Sequence, residues 1–307
     1  MVVKNVILNI FSCSDQAPCN KWATEFFADP PLIINVAGSG SAVWRAKVIQ
    51  WAKTGDLFAA AVKETFPKLT DIEIGKRGLT TFSAGWNFAD ELFKYDNEIN
   101  RLDAYLLLDG CHTKELTNWI KFAKRAAEGS AFFVMSHSSI KPPFISSTDS
   151  NNFIFSGARQ GKQTNKDVPD YLCHAQLPAQ GITIGVAAAY KDGKIVLPAI
   201  SKKWVVDPLI DYNRCGNMTV LGYSGGDRPD HVYIAWYVSK RDWQWLGETW
   251  SKIETELAPE PVEPPTPEAL PVPKEEPKPA VEATPPPTSK SIFQVIAEFL
   301  QSIFRKK

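Results

Sequence analysis

The stretch Leu79-Thr80-Thr81-Phe82-Ser83-Ala84-Gly85-Trp86 runs from a β-branched apolar segment through a serine followed by two small residues into a segment with helical spacing. A strand that turns sharply into a helix lifts the side chain at the bend above the end of its sheet, and neighbours two residues away must be small because the backbone crowds there. Gly85 meets that requirement in full and Thr81 only in part. A serine at such a bend can also be a plain turn residue or helix cap, so its surroundings decide its role.

Working outward from this bend, strand-like runs alternate with amphipathic ones. NVILNIF at the start and LIINVAG at 32–38 precede a helical pattern over about Trp44–Thr65. LTTFSAG at 79–85 is followed by a helix from about Trp86 to Asn100, and AYLLLDG at 104–110 by a helix near Leu116–Glu128. AFFVMSH at 131–137 and MTVLGY at 218–223 complete the set. Strands joined by crossover helices, apolar on both faces, spell an α/β fold with a mostly parallel central sheet flanked by helices in three layers. Between about Lys141 and Gln180 the chain is rich in Pro, Ser, Asn and Gly and reads as a lid-like excursion. Asp192-Gly193 between two apolar runs marks a β-hairpin. The helix expected from about Pro229 or Asp230 carries Trp243, Trp245 and Trp250 for packing.

A chain of 307 residues that is 44% hydrophobic and 11% aromatic can bury a large core. Its 34 basic and 34 acidic residues cancel, which leaves no electrostatic footprint for nucleic acid and fits a small, roughly neutral substrate. Five cysteines, an odd number, do not make a disulfide framework, although Cys13 and Cys19 are close enough in sequence for a local pair. MVVKNVILNIF reads as a first β-strand rather than a secretory signal, and no apolar stretch reaches the ~20 residues of a membrane-crossing helix. The expectation is a soluble chain, cytoplasmic on synthesis.

In the residues around Ser83 the chain resembles the α/β-hydrolase superfamily, whose nucleophile motif is Gly-x-Ser-x-Gly; here threonine replaces the first glycine. The resemblance extends over roughly the first 250 residues by order of elements. It implies an esterase- or lipase-like serine hydrolase acting on a small ester or amide, without a cofactor, with nucleophile, acid and histidine in that chain order. Ser83 is the nucleophile. Of four histidines, His231 follows the last core strand and a glycine-containing loop, where the superfamily's base lies. Asp109 ends AYLLLDG at the carboxyl edge of the sheet and is the first candidate for the acid, with Asp149 and Asp207 as alternatives. Backbone N–H groups of Ala84 and of the loop Gly38-Ser39-Gly40-Ser41 are the expected oxyanion donors. That loop lacks the Lys-Ser/Thr of a phosphate-binding motif. His137 and His112, at strand ends on the same edge, are candidates for orienting substrate or for plain hydrogen bonding to loop backbone. His174 beside Cys173 has no second Cys/His pair at metal-ligand spacing.

The competing reading is a hydrolase-type domain kept as a non-catalytic binding or structural module, which Thr81 at the bend favours. The composition divides the chain into a domain at 1–256, a Pro-rich linker at 257–290 and a C-terminal amphipathic helix at 291–307. Leu257–Ser289 holds about half of the 23 prolines and reads as an extended, polyproline-like tether. Helical spacing sets Ile292, Phe293, Ile296, Phe299, Leu300, Ile303 and Phe304 on one face, closed by Arg305, Lys306 and Lys307. Such a helix suits a membrane surface, a partner helix, a larger assembly such as a virion, or the domain itself.

Overall fold

Four buried runs decide the architecture, because strands apolar on both faces need cover on both sides. A computed structural model describes residues 2–11, 19–36, 41–141, 145–162, 181–185, 189–191, 194–196, 199–203, 209–223, 225–226, 231, 234 and 238–257. The chain divides into a unit Met1–Ala258 and a unit Pro259–Lys307; the predicted linker and terminal helix lie outside the described residues.

In chain order the strands are β1 (Val2–Phe11), β2 (Leu32–Asn35), β3 (Ile72–Phe82), β4 (Ala104–Leu108), β5 (Phe132–His137), β6 (Gly181–Gly185), β7 (Ala189–Lys191), β8 (Lys194–Val196), β9 (Ala199–Lys203), β10 (Leu209–Cys215) and β11 (Met218–Tyr223). The helices are α1 (Cys19–Phe26), α2 (Ser41–Ala52), α3 (Leu57–Thr65), α4 (Trp86–Leu92), α5 (Asp96–Arg101), α6 (Thr117–Ala127), α7 (Ser147–Arg159) and α8 (Ser239–Leu257). Seven strands form one sheet in the order β10-β11-β5-β4-β3-β1-β2, parallel except for the β10–β11 pair. The hairpin expected at Asp192-Gly193 is the antiparallel pair β7–β8.

Alternate residues of one strand feed different layers. Tyr105 and Leu107 join the core under α2, α3, α4, α6 and α7, whereas Leu106 and Leu108 join the core under α1 and α8. Trp22 of α1 and Trp243, Leu246 and Trp250 of α8 fill the second layer, so the tryptophans of the last helix pack as expected. Among the described residues no helix is long and apolar enough to cross a membrane.

The strand order carries the functional consequence. The chain leaves β1 through α1 on one face, and leaves β3 through α4 on the other. β1 and β3 are neighbours, paired up to Phe11 and Phe82, so their carboxyl ends form the topological switch point of the sheet. Open α/β sheets bind ligands at such a switch point. Ser83 is the first residue after β3.

Several boundaries differ from the sequence expectation for local reasons. The single helix expected over Trp44–Thr65 is two, because Gly55 takes φ +86° and Asp56 begins a new helix by accepting a bond from Ala59 N at 3.0 Å. The helix expected over Trp86–Asn100 is likewise α4 and α5. The strand read as 79–85 begins at Ile72 and ends at Phe82, with a 3₁₀ turn at Ser83–Gly85. The excursion after Lys141 contains α7, which starts where Ser146 caps Asp149 N at 3.1 Å and stops at Gln160 in left-handed conformation.

Asp242 of α8 is fully buried against the sheet, accepts a 2.7 Å bond from Ser136 Oγ, and its other oxygen has no partner among the described residues. Burial pushes its carboxyl up to about 6, against the opposing pull of Arg241 and Ser136. The folded chain therefore binds this proton more tightly than the unfolded one, and this residue's contribution to stability falls as pH rises from about 4 through about 6. Asp242→Asn is expected to raise stability at pH 8 by on the order of 1–3 kcal/mol and to leave it nearly unchanged at pH 4, read by urea denaturation at both pH values.

Candidate active site at the carboxyl edge of the sheet

Ser83 has φ +51°, a left-handed backbone that costs a non-glycine residue roughly 1–3 kcal/mol and persists only where packing imposes it. Close packing flanks the turn. A Cβ at Gly85 would lie 2.6 Å from the carbonyl oxygen of Ile10, and one at Gly110 would lie 2.8 Å from the carbonyl oxygen of Ser83. Thr81 is buried, and its hydroxyl bonds the Tyr105 hydroxyl at 2.8 Å in the core. Asn87 braces the turn from below by donating to the carbonyl of Ala84 at 2.9 Å.

Asp109 follows β4 directly, with φ +41°, and its backbone N–H is tied to the Ser136 carbonyl at 2.7 Å. Its carboxylate is 1% exposed and accepts three hydrogen bonds. His231 Nδ1 donates to Oδ2 at 2.8 Å, Ser138 Oγ donates to the same oxygen, and Ser147 Oγ donates to Oδ1 at 2.5 Å. Burial works to raise its pKa, but the His231 bond and charge together with the two serine hydroxyls outweigh burial and hold the carboxyl below its ordinary value. A charged acceptor on Nδ1 fixes that nitrogen as the protonated one and leaves His231 Nε2 as the free acceptor. The imidazole lies over the ring of Phe82, centroids 4.6 Å apart, so it occupies the same edge as Ser83, the next residue in the chain. The His231 side chain is 19% exposed.

The other predicted residues fall as follows. Ala84 follows Ser83 in the 3₁₀ turn at the start of the helix, where N–H groups have no intrahelical acceptor. Gly38 and Ser39 lie outside the described residues; the strand before them, β2, is separated from β3 by β1. Of the two roles open to His137, the structure favours hydrogen bonding to backbone over orienting substrate: it is 1% exposed, its Nδ1 bonds the Ser138 carbonyl at 3.0 Å, and its ring packs on Gly222. Burial lowers its pKa, and a side chain so enclosed has no surface to offer a substrate. Asp149 accepts a 2.7 Å bond from Ser146 Oγ at the start of α7, whereas His231 pairs with Asp109; Asp207, Cys13, Cys173 and His174 lie outside the described residues. His112 bonds the Ile145 carbonyl at 2.9 Å and meets the Trp86 ring edge-on at 6.3 Å.

Two participants escape a sequence reading. Ser138 and Ser147 hold Asp109 from 29 and 38 residues away, and no local pattern marks either. Searches against protein-family models, curated proteins and solved structures find no match to this chain.

Because the lowered pKa of Asp109 reflects stabilisation of its charged form, that contribution is complete above about pH 4 and is lost as pH falls through the folded-state value. Asp109→Asn is expected to lower stability at pH 7, with the gap to the natural protein closing below pH 4, measured by thermal unfolding across pH. Gly85→Ala is expected to cost about 1–3 kcal/mol, because the added methyl meets the Ile10 backbone rather than a movable side chain.

Proposed function

We propose that the domain is a serine hydrolase of the esterase or lipase type, with Ser83 as nucleophile, His231 as general base and acid, and Asp109 orienting the imidazole. The observation that carries the reading is the shared edge: a strained serine at a strand-to-helix turn, and an imidazole bonded to a buried carboxylate over the residue before it. Position at a topological switch point and the chain order Ser, Asp, His support it, as does the resemblance to the α/β-hydrolase superfamily.

The chemistry follows from these groups. Ser83 Oγ attacks the acyl carbon while its proton passes to His231 Nε2, and the ester carbonyl becomes an oxyanion. Asp109 stabilises the imidazolium without taking its proton. The Ala84 N–H is one donor to the oxyanion; a second is assigned to the Gly38-Ser39 loop. Collapse of the tetrahedral intermediate expels the alcohol, which leaves with the proton held on Nε2. Water, deprotonated by the same nitrogen, then attacks the acyl-enzyme; the carboxylic acid departs and Ser83 regains its proton. No cofactor enters any step. Esters suit this arrangement better than amides, since an alcohol is the easier leaving group.

The second reading, a non-catalytic binding or structural module, rests on Thr81 at the bend, and the labelling and hydrolysis assays below separate the two. For residues 291–307 we propose a peripheral role, docking the domain to a membrane surface or a protein assembly.

A fluorophosphonate probe is expected to label Ser83 in the natural protein and not in Ser83→Ala. Hydrolysis of p-nitrophenyl butyrate is expected to fall about 1,000-fold or more in Ser83→Ala and in His231→Ala. Labelling that persists in Ser83→Ala rejects the assignment.

A further inference from the structure

The turn that carries Ser83 is held by side chains from outside it. Phe82 and Gly85 stand at the N-caps of the 3₁₀ turn and of α4, and neither makes a side-chain capping bond. The holding group is Asn87, the second residue of α4 and 8% exposed: its Nδ2 donates to the Ala84 carbonyl at 2.9 Å, and its Oδ1 accepts from Arg45 Nη2 at 3.1 Å. Arg45 lies early in α2, and its guanidinium also faces the Asp90 carboxylate of α4 at 3.6 Å. Asp90 in turn accepts a 3.3 Å bond from Trp119 Nε1 of α6. A primary amide donates and accepts at once, so asparagine can bridge a guanidinium and a carbonyl where a carboxylate of the same size cannot.

Two peptide planes flank the Ala84 Cα, and both are fixed. The Ser83 carbonyl accepts the Trp86 N–H and packs on Gly110, where an added Cβ would lie 2.8 Å from that oxygen. In a trans peptide the N–H points opposite to the carbonyl, so the Ala84 N–H is turned away from Gly110 and Trp86. Asn87 sets the second plane through the Ala84 carbonyl. Arg45 sets Asn87, and the helix that carries Arg45 begins at Ser41, directly after Gly38-Ser39-Gly40 in the chain. One line of hydrogen bonds therefore ties the helix after the serine to the helix after the loop assigned as the second oxyanion donor.

We propose that Asn87 and Arg45 are positioning residues for the oxyanion site: Asn87 aims the Ala84 N–H, and Arg45 holds Asn87 and sets α2 against α4. Both act through the backbone that they hold. The inference rests on the hydrolase reading of Ser83 and names what keeps its oxyanion donor in place. A donor aimed at charge that exists only in the transition state speeds turnover without tightening binding of the neutral ester, so misplacing it lowers kcat and leaves KM alone.

The test follows p-nitrophenyl butyrate hydrolysis by the full chain, each rate divided by the concentration of serines titrated with a fluorophosphonate, so that loss of folded protein does not register. Asn87→Ala, which removes both bonds, is expected to lower kcat about 10- to 100-fold and to keep KM within about two-fold. Arg45→Met, at a side chain that is 42% exposed, is expected to lower kcat about three- to ten-fold with the same constancy of KM, and it decides the matter if Asn87→Ala does not fold. In the double variant kcat is expected to match that of Asn87→Ala, because Arg45 acts through Asn87. A kcat within about two-fold of the natural protein in Asn87→Ala, a loss carried by KM, or factors that multiply in the double variant overturns the assignment. A natural protein that neither takes up the probe nor hydrolyses the ester rejects the hydrolase reading and this assignment with it. One that does both while Asn87→Ala is silent rejects the positioning role alone.

Discussion

A carboxylate at 1% exposure is the constraint on which the rest of the edge depends. Burying an isolated charge costs several kcal/mol, and the fold tolerates it only when donors replace the lost water. Asp109 has three, and each comes from a different part of the chain: Ser138 just past β5, Ser147 from α7, and His231 from beyond β11. Satisfying one charge therefore fastens three connections to the end of β4. The order of the strands brings these segments together, and the charge fixes how they meet.

Asp242 shows what the same residue does without that company. It too is buried, but it has one hydroxyl donor and an oxygen with no partner among the described residues, and its carboxyl rises where that of Asp109 falls. The difference is one of donor count rather than depth, since both side chains are almost wholly enclosed and Asp242 has the Arg241 charge beside it. Asp109 is thereby kept as an anion able to orient an imidazole.

What the sequence discloses follows from how local each signal is. β4, β5 and β11 are legible as mainly apolar runs and β3 only in its buried second half, and the Ser83 bend is legible because a strand pattern gives way to a helical one within three residues. Asp109 and His231 could be chosen because each stands at the end of such a run or just beyond it. Helix α7 is not legible: Ser, Asn and Gly dilute its apolar stripe of Ile154, Phe155 and Ala158, and its start depends on a cap at Ser146. Ser138 and Ser147 stay hidden for a different reason, since a serine carries no periodicity and its partner lies far away in sequence. His137 stands at a strand end on the same edge, and β5 directs its side chain into the interior.

The adjacency of β1 and β3 is the step that no single stretch of sequence states. Consecutive strands commonly pair, and β1 does pair with β2; but the crossover through α2 and α3 carries β3 to the other side of β1. That reversal sets the end of β3 beside the end of β1 and brings the Ile10 backbone against Gly85, two residues beyond the left-handed Ser83. The same packing that bends the chain there also brings Gly110, and with it the loop after Asp109, against the serine's carbonyl.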